Sequence, residues 1–272
     1  MADGGFRLGV DVGGTFTDLL LINETTGQTY SAKVPSTPQD SSIGVLNGLA
    51  RICETAGVSA TDIGHVMHGT TVATNTVLTG SGAKVGLITT DGYRHVLQIA
   101  RSYVPGGLGG WVSYNKKDPL APLEYTIEAI ERIDADGSVS KPLDEAALRA
   151  SLSVLKKGGV EAITVSLINS YANGAHERQV RAIVEAEMPG IPVSISSEVI
   201  PEMYEYERTE TTVVNSYVRP VVSRYLGNLR TAIAEKAADV KLHVLRSDGG
   251  LASIDGATHA PVNLLMSGPA GG

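Results

Sequence analysis

Hydrophobic and polar positions change period repeatedly along this chain. Two short apolar runs, at 8–12 and 19–22, flank a polar, glycine-rich turn. A third run at 28–34 completes an expected antiparallel meander of three strands. The spacing then widens to that of a helix over 39–56, where Ile43, Leu46, Leu49, Ile52 and Cys53 share one face and Gly57 is the stop. A strand at 63–68 ends in Gly69, which opens a helix from Thr70 toward Leu78. The alternation continues with strands at 85–89, 125–133, 162–167, 193–196 and 241–245, and helices at 93–100, 144–157 and 173–187. Asp144 and Asn173 stand as N-caps of the last two. A helical stretch over 207–238 carries the apolar row Val214, Val218, Val221, Tyr225, Leu229 and Ile233, with a kink at Pro220. Strands alternating with helices predict an α/β fold, with a mixed sheet whose first three strands are antiparallel.

The turn between the first two strands carries the most specific chemistry. In Leu8-Gly-Val-Asp-Val-Gly-Gly-Thr-Phe-Thr-Asp18 a strand ends in Asp11, two glycines turn the chain, and Thr15 and Thr17 lead into the second strand. Glycine permits positive φ and close backbone approach, so the N–H groups around Gly13, Gly14 and Thr15 are expected to surround a phosphate. The Thr15 and Thr17 hydroxyls add hydrogen bonds in that reading. Asp11 is the expected holder of a hydrated Mg²⁺ beside the phosphate oxygens, while Asp18 ends the turn. No Gly-Lys-[Ser/Thr] follows, which excludes a Walker loop. The spacing D-x-G-G-T-x-T-D resembles the first phosphate hairpin of the actin, hexokinase and Hsp70 superfold. A Gly-Gly hairpin without ligand is the plainer alternative.

A second candidate is His68-Gly-Thr-Thr-Val-Ala-Thr-Asn75, where a strand end meets a helix start. Such a junction offers unpaired N–H groups to an anion or a developing oxyanion. Thr70 and Thr71 are candidate hydroxyl donors there, or caps of the helix. His68 is a candidate proton carrier near neutral pH, or a satisfied structural histidine. Arg94 and Arg101 are candidate clamps for phosphate or carboxylate, or solvated side chains. The Gly- and Pro-rich stretch 102–122 holds the single tryptophan, Trp111, and is too long for a simple connector, so it reads as an active-site loop. Arg246-Ser-Asp-Gly-Gly reads as a structural turn, because Asp248 abuts the glycines without a spacer.

Composition narrows the classes. A net charge of −7 without any basic stripe argues against a nucleic-acid partner. No apolar run approaches the ~20 residues that span a bilayer, and no basic-then-apolar leader is visible, so no membrane role and a cytoplasmic setting are expected. The one cysteine, Cys53, suits a reducing compartment and, on its apolar face, reads as core rather than nucleophile. His65 and His68 fall on opposite faces of a strand and His243 and His259 stand alone, so no zinc site is expected. At 272 residues the chain exceeds the usual size of one core. It divides into an N-terminal subdomain over 1–101 with the hairpin, an elaborating β/α subdomain over 102–196, and a final segment over 197–272.

Five motifs then follow in one order: Gly9 to Asp18, His68 to Asn75, Thr90-Asp-Gly-Tyr-Arg94, Ser197-Glu-Val-Ile-Pro-Glu with Glu205-Tyr-Glu-Arg208, and Ser267-Gly-Pro-Ala-Gly-Gly272. In this the chain resembles the hydantoinase A/5-oxoprolinase family along essentially its whole length. The resemblance implies an actin-like (ribonuclease H-like) ATPase lobe that uses ATP and Mg²⁺ to activate an unreactive amide or ketone oxygen. It implies as substrate a cyclic amide (hydantoin, 5-oxoproline or lactam) that is phosphorylated before ring opening. A ketone, in a carboxylase subunit of the acetone or acetophenone type, is the alternative, and a non-catalytic assembly module is a third. A partner subunit of hydantoinase B type is implied as well. Family subunits are more than twice this length, with a second phosphate hairpin and an adenosine-binding segment beyond the last motif. This chain alone is therefore expected to bind ATP weakly and to expose an apolar face.

Overall fold

The computed structural model describes residues 5–37, 41–101, 117–237 and 240–267. In chain order the elements are β1 (Phe6–Val12), β2 (Phe16–Asn23), β3 (Thr29–Pro35), α1 (Ser41–Ala56), β4 (Ile63–Thr70), α2 (Val72–Thr79), β5 (Val85–Thr90) and α3 (Val96–Ile99). They continue with β6 (Thr126–Ala129), β7 (Arg132–Ile133), β8 (Val139–Lys141), α4 (Glu145–Gly158), β9 (Ala162–Ser166), α5 (Ala175–Glu187), β10 (Val193–Ile195) and α6 (Ser196–Val199). The last are α7 (Glu205–Ala234), β11 (Lys241–Leu245), β12 (Leu251–Ser253) and α8 (Ile254–His259). They fall into two units, Met1–Ser81 with Val221–Gly272, and Gly82–Pro220. This differs from the three consecutive segments read from the sequence. The physical reason is that β11 pairs with β4, so the late chain completes the first sheet.

The first unit is built on a six-stranded sheet in the order β12-β11-β4-β1-β2-β3. β1, β2 and β3 run antiparallel as the expected meander, while β4 lies parallel to β1 and β11 parallel to β4. This is the mixed sheet of an actin-like lobe. Along β2 exposed and buried residues alternate, with Thr17, Leu19 and Leu21 turned inward. α1 packs on that inner face through Val45, Leu49 and Ile52, while Ile43 is 49% exposed and Cys53 is only half-buried. The face that packs is thus rotated from the expected one. Gly48 explains the rotation, because a Cβ there would stand 2.3 Å from a Leu19 methyl and only bare backbone lets the helix lie so close.

β4 extends to Thr70, beyond the expected end at His68, because its parallel pairing with β1 continues to Val12 opposite Thr70. α2 accordingly starts at Val72 with Thr71 as N-cap, and Gly80 closes it at φ 69. The turn after β11 is structural, as read: Asp248 accepts from Gly250 N (3.0 Å) and Arg246 (2.7 Å).

The second unit carries a four-stranded parallel sheet, β10-β9-β5-β6. Every residue of β5 and of β9 is buried, as expected for strands covered on both faces. α4 contributes Leu148, Leu152 and Leu155 to this core, and α5 contributes Val180, Ile183 and Val184. Asp144 caps α4 by accepting from Ala147 N at 3.0 Å. Asn173 lies one residue before the α5 cap and accepts from Ala175 N at 3.0 Å. The single strand expected over 125–133 is broken between β6 and β7. There Glu131 turns inward, accepting the Thr90 hydroxyl and pairing with His176 at 2.7 Å. Trp111 and most of its loop lie outside the described residues.

Candidate functional site: the glycine hairpin and its cleft

The β1–β2 turn is strapped from three sides. Gly13 N donates to Phe16 O at 3.0 Å, Ser36 N donates to Thr15 O at 2.9 Å, and Ser36 Oγ donates to Gly13 O at 2.8 Å. Thr71 Oγ1, at the start of α2, donates to Val12 O at 3.2 Å. The amide N–H groups of Gly14 and Thr15, both exposed, take no partner among the described residues. Two free donors on a fixed turn form an anion cradle. A cleft of about 230 Å³ adjoins it, lined by Gly13, Gly14, Ser36, Thr71, Asn75 and Thr79. Within it Asn75 Nδ2 donates to Thr71 Oγ1 at 3.2 Å, which fixes the hydroxyl's orientation.

Three details differ from the sequence expectation. Neither Gly13 nor Gly14 adopts left-handed φ. What Gly13 supplies is space, since a Cβ there would lie 3.1 Å from Phe16 O. Its amide is spent inside the turn, leaving Gly14 and Thr15 as the donors. Thr17 is fully buried with its hydroxyl 3.0 Å from Ser36 Oγ, so it braces the hairpin's base instead of facing a phosphate. Ser36 escapes sequence reasoning, because a serine in a Pro-Ser-Thr-Pro stretch carries no signal until the fold brings it back to the turn.

Asp11 is not among the residues that line that cleft. It lines a shallow groove of about 540 Å³ with Gly9, Asp18, Leu20, Met67 and Leu245. Leu20 and Phe16, on β2, are each 45% exposed, with Asp18 between them. Asp18 stands across the hairpin from Asp11 and is ion-paired to Lys33 at 2.9 Å. Asp11 has no cation of its own among the described residues. Partial burial first, and the Asp18 carboxylate second, push its carboxyl above the usual range. A carboxylate so placed fits a cation, which would relieve both effects, and Mg²⁺ suits an oxygen donor with room for water. Gly69 is packed on it, with a hypothetical Cβ 3.2 Å from Asp11 Oδ1.

The second motif is divided. Thr71 lines the hairpin cleft, whereas Thr70 is buried, with Oγ1 accepting from Val72 N at 3.2 Å and its carbonyl accepting from Ser267 Oγ at 3.2 Å. Ser267 is thereby the described start of the last motif, whose remainder lies outside the described residues. His68 is fully buried on the inner face, with Nε2 2.7 Å from the Tyr225 hydroxyl and Nδ1 without a hydrogen-bond partner among the described residues. Burial pushes its pKa down to about 4. The imidazole is therefore neutral at pH 7, and its burial against Tyr225 is the environment expected of a structural histidine. Its neighbour His65 lies on the outer face, stacked on His243 with centroids 6.0 Å apart, so His243 does not stand alone. Among the described residues no group of three or more His, Cys, Asp or Glu side chains is arranged to hold a metal.

Arg94 belongs to the second unit, where it is exposed, donates to Leu123 O at 3.1 Å and presents its amide to Glu128. Arg208, from the fourth motif, is fully buried and binds Leu167 O (2.7 Å), Glu202 O (3.1 Å) and Ser196 Oγ (3.1 Å). Glu177 accepts from Ser196 Oγ and from the amides of Leu167 and Ser197 in the same network. That motif is structural at position 208. No helix among the described residues is long and apolar enough to cross a membrane.

Comparison with known proteins gives two family matches: the hydantoinase/oxoprolinase N-terminal region over residues 7–188, and hydantoinase/oxoprolinase over 208–272. The chain is 37% identical to caprolactamase subunit alpha of Pseudomonas jessenii over 269 residues, covering 97% of this chain and 38% of the relative. The crystal structure of that ATP-dependent caprolactamase superposes with a TM-score of 0.86 at 36% identity over 97% of this chain and 39% of that one. Acetophenone carboxylase gamma subunit of Aromatoleum aromaticum is 34% identical over 266 residues, covering 90% of this chain and 35% of its own. The nucleotide-free structure of acetone carboxylase gives a TM-score of 0.86 at 28% identity, covering 98% of this chain and 39% of that one. This chain thus spans well under half the length of these relatives.

Proposed function

As the chain belongs to the hydantoinase/oxoprolinase family, we propose that it is the N-terminal region of an ATP-dependent enzyme that activates the carbonyl of a cyclic amide before ring opening. The observation that carries this reading is the strapped hairpin, whose Gly14 and Thr15 amides are left without a protein partner among the described residues. ATP, when bound, would supply a phosphoryl group for the carbonyl oxygen, making the carbon electrophilic enough for water to add, the ring C–N bond to break and phosphate to be released. The chain's own residues position and neutralise charge, which is most of what phosphoryl transfer needs from a protein. Gly14 and Thr15 would hold phosphate oxygens through their N–H groups, and the Thr15 hydroxyl would add a donor. Asp11 would hold Mg²⁺ through water. Thr71, whose hydroxyl donates to Val12 O and accepts from Asn75, would brace the hairpin against α2.

Support for ATP comes also from the relatives, since the caprolactamase and the acetone carboxylation reaction are both described as ATP-dependent. A partner subunit, of hydantoinase B type, belongs to this proposal because the relatives are themselves named as subunits. A cytoplasmic setting, where ATP and Mg²⁺ are both at hand, suits it. The second reading, a ketone carboxylase subunit, rests on the 34% identity to the acetophenone carboxylase gamma subunit.

The test is ADP release by the full-length protein with its partner subunit, offered cyclic amides or ketones, with and without bicarbonate. Turnover with a cyclic amide, independent of bicarbonate and reduced about 10²-fold or more in Asp11→Ala, is expected. Turnover that requires both a ketone and bicarbonate would overturn the first reading in favour of the second.

A further inference from the structure

The two amides that the hairpin leaves free are not equally held, and a serine just beyond β3 makes the difference. A peptide unit is planar and trans, so its C=O and its N–H point in opposite directions. The Gly14 N–H belongs to the unit whose carbonyl is Gly13 O, and Ser36 Oγ donates to that oxygen at 2.8 Å. Ser36 thus draws the carbonyl toward itself and turns the Gly14 N–H the other way. The Thr15 N–H belongs to the unit whose carbonyl is Gly14 O, and that oxygen takes no partner among the described residues. Nothing packs over Gly14, which is exposed and where an added Cβ would meet no atom within 4 Å.

Ser36 is itself fixed. A serine has one hydroxyl proton, and Gly13 O takes it. The 3.0 Å contact between Thr17 Oγ1 and Ser36 Oγ is then donated by Thr17, which is fully buried. A directed relay results, from the Thr17 hydroxyl to the Ser36 hydroxyl to the Gly13 carbonyl. Hydrogen bonds in such a chain polarise one another, and the peptide unit at its end becomes a stronger donor. The Ser36 backbone adds a second tie, its N–H donating to Thr15 O at 2.9 Å. Thr37 then anchors the segment to α1 by accepting from Gly44 N at 3.0 Å. Gly44 admits this approach, since a Cβ there would lie 3.3 Å from Thr17 Oγ1 and 3.6 Å from Ser36 Cα.

We propose that Ser36 is the positioning residue of this hairpin, aiming the Gly14 N–H at a phosphate oxygen and making Gly14 the leading donor, with Thr15 second. The inference rests on the nucleotide reading above and deepens it, by ranking the two donors and naming the side chain that sets their order. Ser36 acts through the peptide unit, and no proton or group is transferred by it.

The experiment is an NMR titration of the 272-residue chain with inorganic tripolyphosphate, following the Gly14 and Thr15 amide signals. Tripolyphosphate carries the anionic chain of ATP without base or ribose, so it reads the hairpin alone. A saturable shift in the millimolar range is expected, with the Gly14 proton moving further downfield than the Thr15 proton. Ser36→Ala keeps the backbone tie and removes the hydroxyl. It should weaken binding about tenfold with the circular dichroism unchanged, and the lead of Gly14 over Thr15 should vanish. Ser36→Thr, which returns a hydroxyl, should recover both, as a merely space-filling role would not require. Should Ser36→Ala fail to fold, the order of the two shifts in the parent decides, and a larger shift at Thr15 would overturn the proposal. Equal binding by a folded Ser36→Ala, or no recovery in Ser36→Thr, would overturn it and leave the hairpin reading in place. No saturable shift at either amide of the parent would overturn the hairpin reading and the inference with it.

Discussion

β2 alternates exposed and buried residues along its length, whereas every residue of β5 and β9 is buried. The first sheet thus leaves one face open among the described residues, and its polar groups there, Asp11 among them, are incompletely paired. The second sheet is closed on both faces, and polar side chains gather at its strand ends already satisfied. Thr90, Glu131 and His176 form one such group, and Ser196, Glu177 and Arg208 another. Buried polar groups must be paired to be tolerated, while a half-open carboxylate has water to lean on until a ligand arrives. The two sheets thus differ in how completely their polar groups are paired.

The largest effect expected from breaking this contrast is at Arg208. Arg208→Met leaves the buried Glu177 carboxylate without one of the cations that interact with it and the Leu167 carbonyl without a donor, at a cost of about 3–5 kcal/mol. Urea unfolding followed by circular dichroism would measure it, and a loss below about 1 kcal/mol would mean the network is not integral to the closed sheet. Next comes a matched pair of leucines. Leu152→Ala, fully buried under the parallel sheet, should cost about 2–5 kcal/mol. Leu20→Ala, on the open face, should stay within about 0.5 kcal/mol. Similar values for the two would erase the distinction between the sheets.

A pH series sharpens the contrast within the first unit. His68 has a folded-state pKa of about 4 against 6.5 in the unfolded chain, so the unfolded state takes up a proton that the folded state refuses. Its contribution is complete above pH 6.5 and is lost as pH falls from there toward 4, by about 3 kcal/mol in all. The urea midpoint of His68→Phe should fall less steeply over that interval than that of the parent. Parallel pH profiles would show that the imidazole is not the group responsible. The smallest effect belongs to Asp11→Asn, which removes a carboxylate disfavoured by burial and by Asp18. Its urea midpoint should rise slightly while Mg·ATP binding falls, the mark of a residue held for a ligand.

The hairpin was legible because everything that forms it is local: two apolar runs, two glycines and the residues between. The alternation of strands and helices was legible for the same reason. The roles of Thr17 and His68 were not, since burial depends on partners far along the chain. Ser36 is 19 positions from Thr17, and Tyr225 is 157 positions from His68. The face of α1 was misread because apolarity pointed to Ile43, while close approach at Gly48 decided the matter. One ion pair of the second unit was hidden altogether. Arg101 and Glu207 stand 106 positions apart, and no spacing rule joins them.

Gly69 has a consequence for how this protein can vary. It sits in β4 with no left-handed φ to demand glycine, so alanine there would meet no backbone objection. A methyl group would stand 3.2 Å from Asp11 Oδ1, and the yielding partner would be the carboxylate, not the strand. An inherited change at this position would therefore pass every check on folding and abundance while shifting the one carboxylate expected to face the cation. Selection for a well-folded product would not see it, and only selection for turnover would keep the glycine.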